Sequence, residues 1–444
     1  MTLRKIFFAL ILPLLLAACG QIFAVKNTPV ITTQTPLLET ATVQVETDAI
    51  TETPPGLTTT EVVTPTAESA LDSAALLRIW VPPQFDPNAD TPAGEVFKAR
   101  LQTFEVEHPG TQVEVRVKAL DGPGGLLDSL VTASAAAPGA LPDLVALSRP
   151  LLEKAALRGL VYASDDFSTT LKQEDWYGYA RELAYVQQST FGLPFAGDAL
   201  VLVYQPQEET EPPRTWNSIL EYPGALAFAA ADPEALFTLA QYQSAGGKIQ
   251  DDQGRPVLEA EILSDVLIIY TNALQTGRIS DRLSQLSTQE QVWQAYQAGE
   301  YTMAATWASS PLSTPETATL LIPTPEGISY TLATGWAWAI ASPQSQKREL
   351  SAALAEYLVE SDFLAHWSEA DDFMPPRTNA LELWQDELSR SLIGDVSSSA
   401  HLIPPGDIIS SLGPVIQQAV LQILHQEKTP SEAAQEAVNS LGTQ

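Results

Sequence analysis

The sequence predicts an α/β fold made of two doubly wound domains. Beyond Leu76, short apolar runs rich in β-branched residues alternate with amphipathic helical stretches, and each crossover between parallel strands needs a covering helix. Size agrees, because 444 residues with 45% apolar content are enough for two hydrophobic cores.

The elements follow in order. Leu77-Arg78-Ile79-Trp80-Val81 reads as a strand stopped by Pro82-Pro83. Residues 95–107 read as a helix with Val96, Phe97, Leu101 and Phe104 at helical spacing. His108-Pro109-Gly110 ends it, and Val113, Val115 and Val117 alternate along a strand over 112–118. A helix over 126–136, a buried strand over 142–147 and a helix over 151–158 closed by Gly159 come next. A helix ends near Ala184, and Phe191-Gly192-Leu193-Pro194-Phe195 leads into a strand over 199–204. After Pro212 the pattern turns α-rich, with helices near 233–244, 259–276 and 289–298. Strands are expected over 303–307, 319–322 and 335–341, then helices over 346–359, 361–367, 412–425 and 431–441. Pro430-Ser431 with Glu432 opens the last of these with a capping residue.

The N-terminal part has a different character. Arg4 and Lys5 precede an apolar run over 6–16, followed by Ala17, Ala18 and Cys19. That run is too short to span a bilayer and reads as a signal peptide over 1–18. Leu16-Ala17-Ala18-Cys19-Gly20 resembles a lipobox, in which Cys19 becomes the lipidated first residue. No second cysteine exists, so no intramolecular disulfide can form. Residues 19–75 form the expected tether: rich in Thr, Pro and Glu, they cannot bury enough apolar surface to offset their ordering entropy. The net charge of -31 excludes nucleic acid as partner, since a phosphate backbone demands a Lys/Arg surface. It favours a soluble monomer outside the anchor.

Enzyme signatures are missing from the sequence: no Gly-x-Ser-x-Gly elbow, phosphate loop or HExxH occurs. His108, His366, His401 and His425 lack metal-ligand spacing, so neither metal nor cofactor is expected. A carboxylate pair for glycoside hydrolysis needs only closeness in space and stays open.

The motif order resembles the family 1 bacterial extracellular solute-binding proteins, whose best-known relative is maltose-binding protein. The resemblance rests on the Ile79-Trp80 strand, His108-Pro109-Gly110, Pro142-Asp143, Phe191-Gly192-Leu193-Pro194, Pro213-Arg214-Thr215-Trp216 and Ala298-Gly299-Glu300-Tyr301-Thr302-Met303. It continues through Gly335-Trp336-Ala337-Trp338-Ala339-Ile340 and Met374-Pro375-Pro376. It implies a two-lobed, type II periplasmic-binding-protein-like α/β fold over 76–444 with lobes discontinuous in sequence. Lobe one is expected at about 76–198 and 322–400, lobe two at about 204–318, with helices over 401–444 packing across both. The implied function is solute binding for an ABC importer, outside the cytoplasm and lipid-anchored, with a membrane permease as partner and no catalysis. A cell-surface glycan-acting enzyme, or a binding-protein-derived sensor or adhesin, is the alternative.

Ligand is expected in the crevice at the C-terminal ends of the strands. A sugar offers a C–H face and a rim of hydroxyls, so its site needs flat apolar platforms edged by polar groups. Trp80, Phe85, Trp307 and Trp336 stand at strand ends and are the candidate platforms, with a core role as the alternative for each. Asp198, in the crossing segment, is the candidate acceptor for a diol. Ser148, Arg149 and Arg377 are candidate donors at the cleft edge.

Overall fold

The computed structural model describes residues 75–314 and 317–442. The expected signal peptide, Cys19 and the tether up to residue 74 lie outside the described residues.

The chain opens with β1 (Ala75–Val81), α1 (Pro92–Glu107), β2 (Thr111–Val117), α2 (Leu126–Ala136) and β3 (Leu144–Ser148). Then come α3 (Arg149–Leu157), α4 (Asp165–Thr170), α5 (Gly178–Ala184), a short hairpin of β4 (Tyr185–Val186) and β5 (Ser189–Thr190), and β6 (Gly192–Tyr204). The next stretch holds α6 (Trp216–Glu221), β7 (Leu226–Ala227), α7 (Leu236–Ser244), α8 (Ala260–Gln275), α9 (Gln289–Gln297), β8 (Met303–Trp307), α10 (Ser309–Leu312) and β9 (Ala318–Leu321). Finally β10 (Thr331–Ile340) leads to α11 (Ser345–Tyr357), α12 (Ser361–Ala370), α13 (Thr378–Glu382), α14 (Glu387–Ser399), β11 (Ala400–Leu402), α15 (Gly406–Leu424) and α16 (Pro430–Leu441).

One sheet runs in the order β2-β1-β3-β10-β6-β8-β7, with β11 on β10 and β9 on β6. β1 pairs in parallel with β2 and β3, as the alternating pattern predicts. β10 runs antiparallel to both β3 and β6, so the sheet is mixed. The reason is topological: β6 carries the chain out of the first core, and β10, bringing it back beside β6, must run the other way.

The structure is two-lobed, with two buried clusters of side chains. The first gathers Ile79, Phe104, Leu144, Leu193, Trp338 and Leu364 from β1, α1, β3, β6, β10 and α12. The second gathers Leu202, Tyr242, Tyr270, Met303, Leu412 and Ala434 from β6, α7, α8, β8, α15 and α16. Helix α15 is long and apolar enough to cross a membrane, but eleven of its residues are buried and it is a core helix of the second cluster.

Several elements differ from expectation. α15 begins at Gly406 and runs through Pro414. An interior proline removes a helix hydrogen bond, but the buried stripe of Ile408, Ile409, Leu412, Val415 and Ile416 holds both sides against the core. The cap of α16 is Thr429, not Ser431. The Thr429 side chain accepts from the Glu432 N–H, while the Glu432 carboxylate accepts from the Thr429 N–H, a reciprocal capping box. α14 escapes the sequence pattern because Gly394 and a serine run mask it, and few apolar side chains, chiefly Ile393 and Val396, anchor it in the core.

Gly335 marks the tightest point of the β6–β10 pairing. A Cβ there would overlap the Ala196 carbonyl oxygen and press on the Leu183 side chain. Gly335→Ala should therefore destabilise the fold by about 1–3 kcal/mol. An unchanged urea midpoint would mean that the strand pair can relax.

Candidate ligand site between the two cores

Strand β6 belongs to both cores. Gly192 to Ala199 pair with β10, whereas Leu200 to Tyr204 pair with β8 and Val201 to Tyr204 also with β9. Asp198 stands where the pairing changes, opposite Thr334. It is only 8% exposed. Its Oδ1 accepts from the N–H groups of Ala199 at 3.0 Å and Ser309 at 3.1 Å, and its Oδ2 accepts from the Ser309 hydroxyl at 2.6 Å. Burial pushes its pKa up to about 6, with the Ser309 and backbone hydrogen bonds pulling the other way. The carboxylate thus ties the crossing strand to the turn that follows Trp307. Both oxygens are engaged within the protein, so its first task here is positioning.

Trp307, at the end of β8, is half-buried beside that turn and packs partly on the second core. Trp336 lies on β10 opposite Ser148, the last residue of β3, and keeps 9% of its surface exposed. Phe85 sets its ring edge-on to Trp336 at 5.1 Å, and also meets Phe195 and Phe373 at 5.2 and 5.6 Å. Phe373 is half-buried, so Trp336 and Phe373 are the parts of this aromatic group that reach its surface. Ser148, Trp336, Asp198 and Trp307 thus lie on neighbouring strands of the sheet, with Phe85 packed edge-on against Trp336.

Three other candidates are engaged elsewhere. Trp80 is 3% exposed within the first core, with Lys118 4.6 Å above its ring. Arg149 is buried and donates to the carbonyl oxygens of Tyr185 at 2.6 Å and Leu183 at 3.4 Å. Burial depresses its pKa, and the Glu153 and Glu182 charges oppose that shift. Arg377 donates to both oxygens of Asp175 at 2.8 and 3.0 Å, to the Val359 carbonyl at 2.9 Å and to Gln173 at 2.5 Å. With so many partners it is an internal clamp of the first core.

Contacts between the two cores also come from residues that sequence reasoning missed. Glu153 on α3 accepts from the Gly406 N–H, at 3.2 Å through Oε1 and 3.1 Å through Oε2. A first-core carboxylate thus caps the N-terminus of a second-core helix, where the helix dipole favours a negative charge. Next to it Lys154 attracts Glu234, whose pKa is raised by burial and by neighbouring Asp232. Asp232 in turn accepts from the N–H groups of Glu234 and Leu236 and so shapes the turn before α7. Gln417 of α15 donates to the Ala231 carbonyl and braces the same turn. Asp232 ahead of an apolar run was the available signal, since its carboxylate accepts from the Leu236 N–H that opens α7.

The family model for bacterial extracellular solute-binding protein matches residues 99–391. No curated protein matches the chain in sequence. Among solved structures, an ABC transporter solute-binding protein from Thermotoga lettingae bound with α-D-tagatose superposes with TM-score 0.63 at 21% identity, over 83% of this chain and 99% of that one. The maltose-binding periplasmic protein of Listeria monocytogenes in complex with maltose gives 0.66 at 14% identity, covering 83% and 97%. A cyclic α-maltosyl-1,6-maltose binding protein from Arthrobacter globiformis gives 0.65 at 14%, covering 83% and 98%.

The Asp198 geometry sets a pH dependence. Its folded pKa of about 6 lies above the ordinary 3.8, so the folded state takes up the proton first. Stability from this group is fully present below about 4 and lost as pH rises through about 6. Asp198→Asn keeps the acceptor for Ser309 without the buried charge, so its stability relative to wild type should rise by about 2–3 kcal/mol between pH 4 and 7. Asp371, pushed up to about 7 by burial and Asp372, titrates in both proteins and cancels in the comparison. A pH-independent difference between the two melting curves would contradict this account.

Proposed function

The chain belongs to the bacterial extracellular solute-binding proteins, and from that membership we propose that it is the ligand-binding component of an ABC importer, taking a sugar or oligosaccharide between two lobes. The observation that carries the reading is the line of aromatic and polar groups along the shared strands, from Phe85 and Trp336 to Asp198 and Trp307. Flat rings with polar neighbours at a junction between two cores suit a saccharide, whose C–H faces stack and whose hydroxyls bond. The sugars in the names of the superposed structures support the same class.

Lobe one is proposed at about 76–198 and 322–400, and lobe two at about 204–318. Helices α15 and α16 join the second core, and α15 reaches α3 of the first through Gly406. Solute bridging the lobes would shift an open state toward a closed one, which a membrane permease then recognises. The protein binds without turnover. A thermal-shift screen of sugars, polyols and oligosaccharides tests the reading, since a ligand bound only by the folded state raises its stability. No response to any saccharide would refute it.

The site itself is tested through its rings. Trp307→Ala and Trp336→Ala should each weaken sugar binding by about 1–3 kcal/mol if the ring stacks on solute. A ring acting only in the core would instead lower folding stability by about 3–5 kcal/mol and leave affinity unchanged. Titration and melting of the same variants separate the two roles.

The lipobox-like run before Cys19 further supports a lipoprotein held at the outer face of the cell membrane, because several acyl chains anchor stably where one does not. Cys19→Ala should move the protein from the membrane fraction to the soluble fraction. Wild type recovered soluble and without acyl groups would end this part of the proposal.

A further inference from the structure

The turn after α12 lies against β6, the strand that also carries Asp198. The Gly197 N–H donates to the Met374 carbonyl at 2.8 Å and the Met374 N–H donates to the Gly197 carbonyl at 2.9 Å. The two segments run antiparallel there, so Phe373 falls opposite Asp198. Residues directly opposite one another in a sheet share a face, and residues two apart along a strand return to it. Trp336 opposite Ala196, Phe373 opposite Asp198 and Trp307 opposite Leu200 therefore belong to one face. The rings agree with this register, because Phe85 meets both Trp336 and Phe373, at 5.1 and 5.6 Å.

Asp371 and Asp372 stand between the end of α12 and Phe373. The Asp371 N–H donates to the Trp367 carbonyl at 2.9 Å, the Phe373 N–H donates to the Ser368 carbonyl at 3.1 Å, and Asp372 takes a left-handed φ of 59°. The turn thus has a fixed shape before any solute arrives. All three residues are half-buried, so it has a solvent side as well as a core side. The fully buried aspartates Asp143, Asp198 and Asp232 each accept hydrogen bonds from neighbours. Asp371 differs: its Oδ2 is shut off from solvent and has no hydrogen-bond partner among the described residues. Burial and the Asp372 charge push its pKa up to about 7. A carboxylate in that condition has room for donors that the protein itself does not supply.

We infer that the Asp371–Phe373 turn is a solute-binding wall of the site, with Phe373 as a further stacking ring and Asp371 as the acceptor for solute hydroxyls. This deepens the sugar reading above and rests on it. The turn supplies what Asp198 does not, since both oxygens of Asp198 are engaged within the protein. A ring and an acceptor two residues apart match the C–H face and the hydroxyl edge of one sugar unit.

Titration of the full chain with glucose, galactose, maltose, cellobiose and xylobiose at pH 8 tests the wall. Asp371→Asn keeps the shape of the side chain but removes the ionised acceptor, and Phe373→Leu keeps apolar bulk but removes the ring. Each should weaken binding of the tightest of these sugars at least about tenfold. The melting temperature without sugar gives a second readout, which a purely structural role would move the other way. An unpaired acid with a raised pKa costs the folded state stability once pH passes that value, so Asp371→Asn should melt higher than wild type at pH 8. Wild-type affinity in either variant, or an Asp371→Asn protein that melts lower than wild type, overturns the wall alone. No binding of any of these sugars to wild type overturns the sugar reading and the wall with it.

Discussion

The structure depends on one strand having to serve two cores. β6 is thirteen residues long, and its first half pairs within lobe one while its second half pairs within lobe two. Leu193 is buried in the first cluster and Leu202 in the second, so each lobe is built on its own half of the strand. The return strand β10 must then run antiparallel beside it, which makes the sheet mixed and places the junction at Asp198 and Thr334. Everything assigned to the site follows from that junction: Trp336 lies near it on one side and Trp307 flanks it on the other.

Burying polar groups without partners costs several kcal/mol by transfer measures. The protein answers with local pairing. Asp198 holds Ser309, Arg149 holds two carbonyl groups and Arg377 holds Asp175. These bonds explain why several polar side chains expected to contact ligand serve as braces: burial commits them to neighbours.

Much of the fold was legible because its signal is local. The strand at Met303–Trp307 and the helix at Leu126–Ala136 follow from runs of apolar residues with the right period, and the structure returns them with those bounds. Trp307 stands at a strand end as its pattern predicts, whereas Trp336, expected at the start of a strand over 335–341, lies mid-strand because β10 already begins at Thr331. What stayed hidden is non-local. Arg377 finds Asp175 across about two hundred residues, and Glu153 finds Gly406 across more, and no spacing in one chain announces such a pair. α14 was hidden for a different reason, since its helical residues are weakly apolar and a few buried side chains decide its place.

The central claim is that solute binding draws the lobes together, with α3 of the first meeting the N-terminus of α15 of the second. Pulsed electron resonance distances test this most directly. Spin labels at Leu157→Cys and Ser410→Cys, both exposed positions, in a Cys19→Ala background would report the α3 to α15 separation. The account predicts a broad distribution without solute that narrows toward its short end as a binding saccharide is added. A distribution unchanged at saturating solute, with binding confirmed by calorimetry on the same sample, would contradict it.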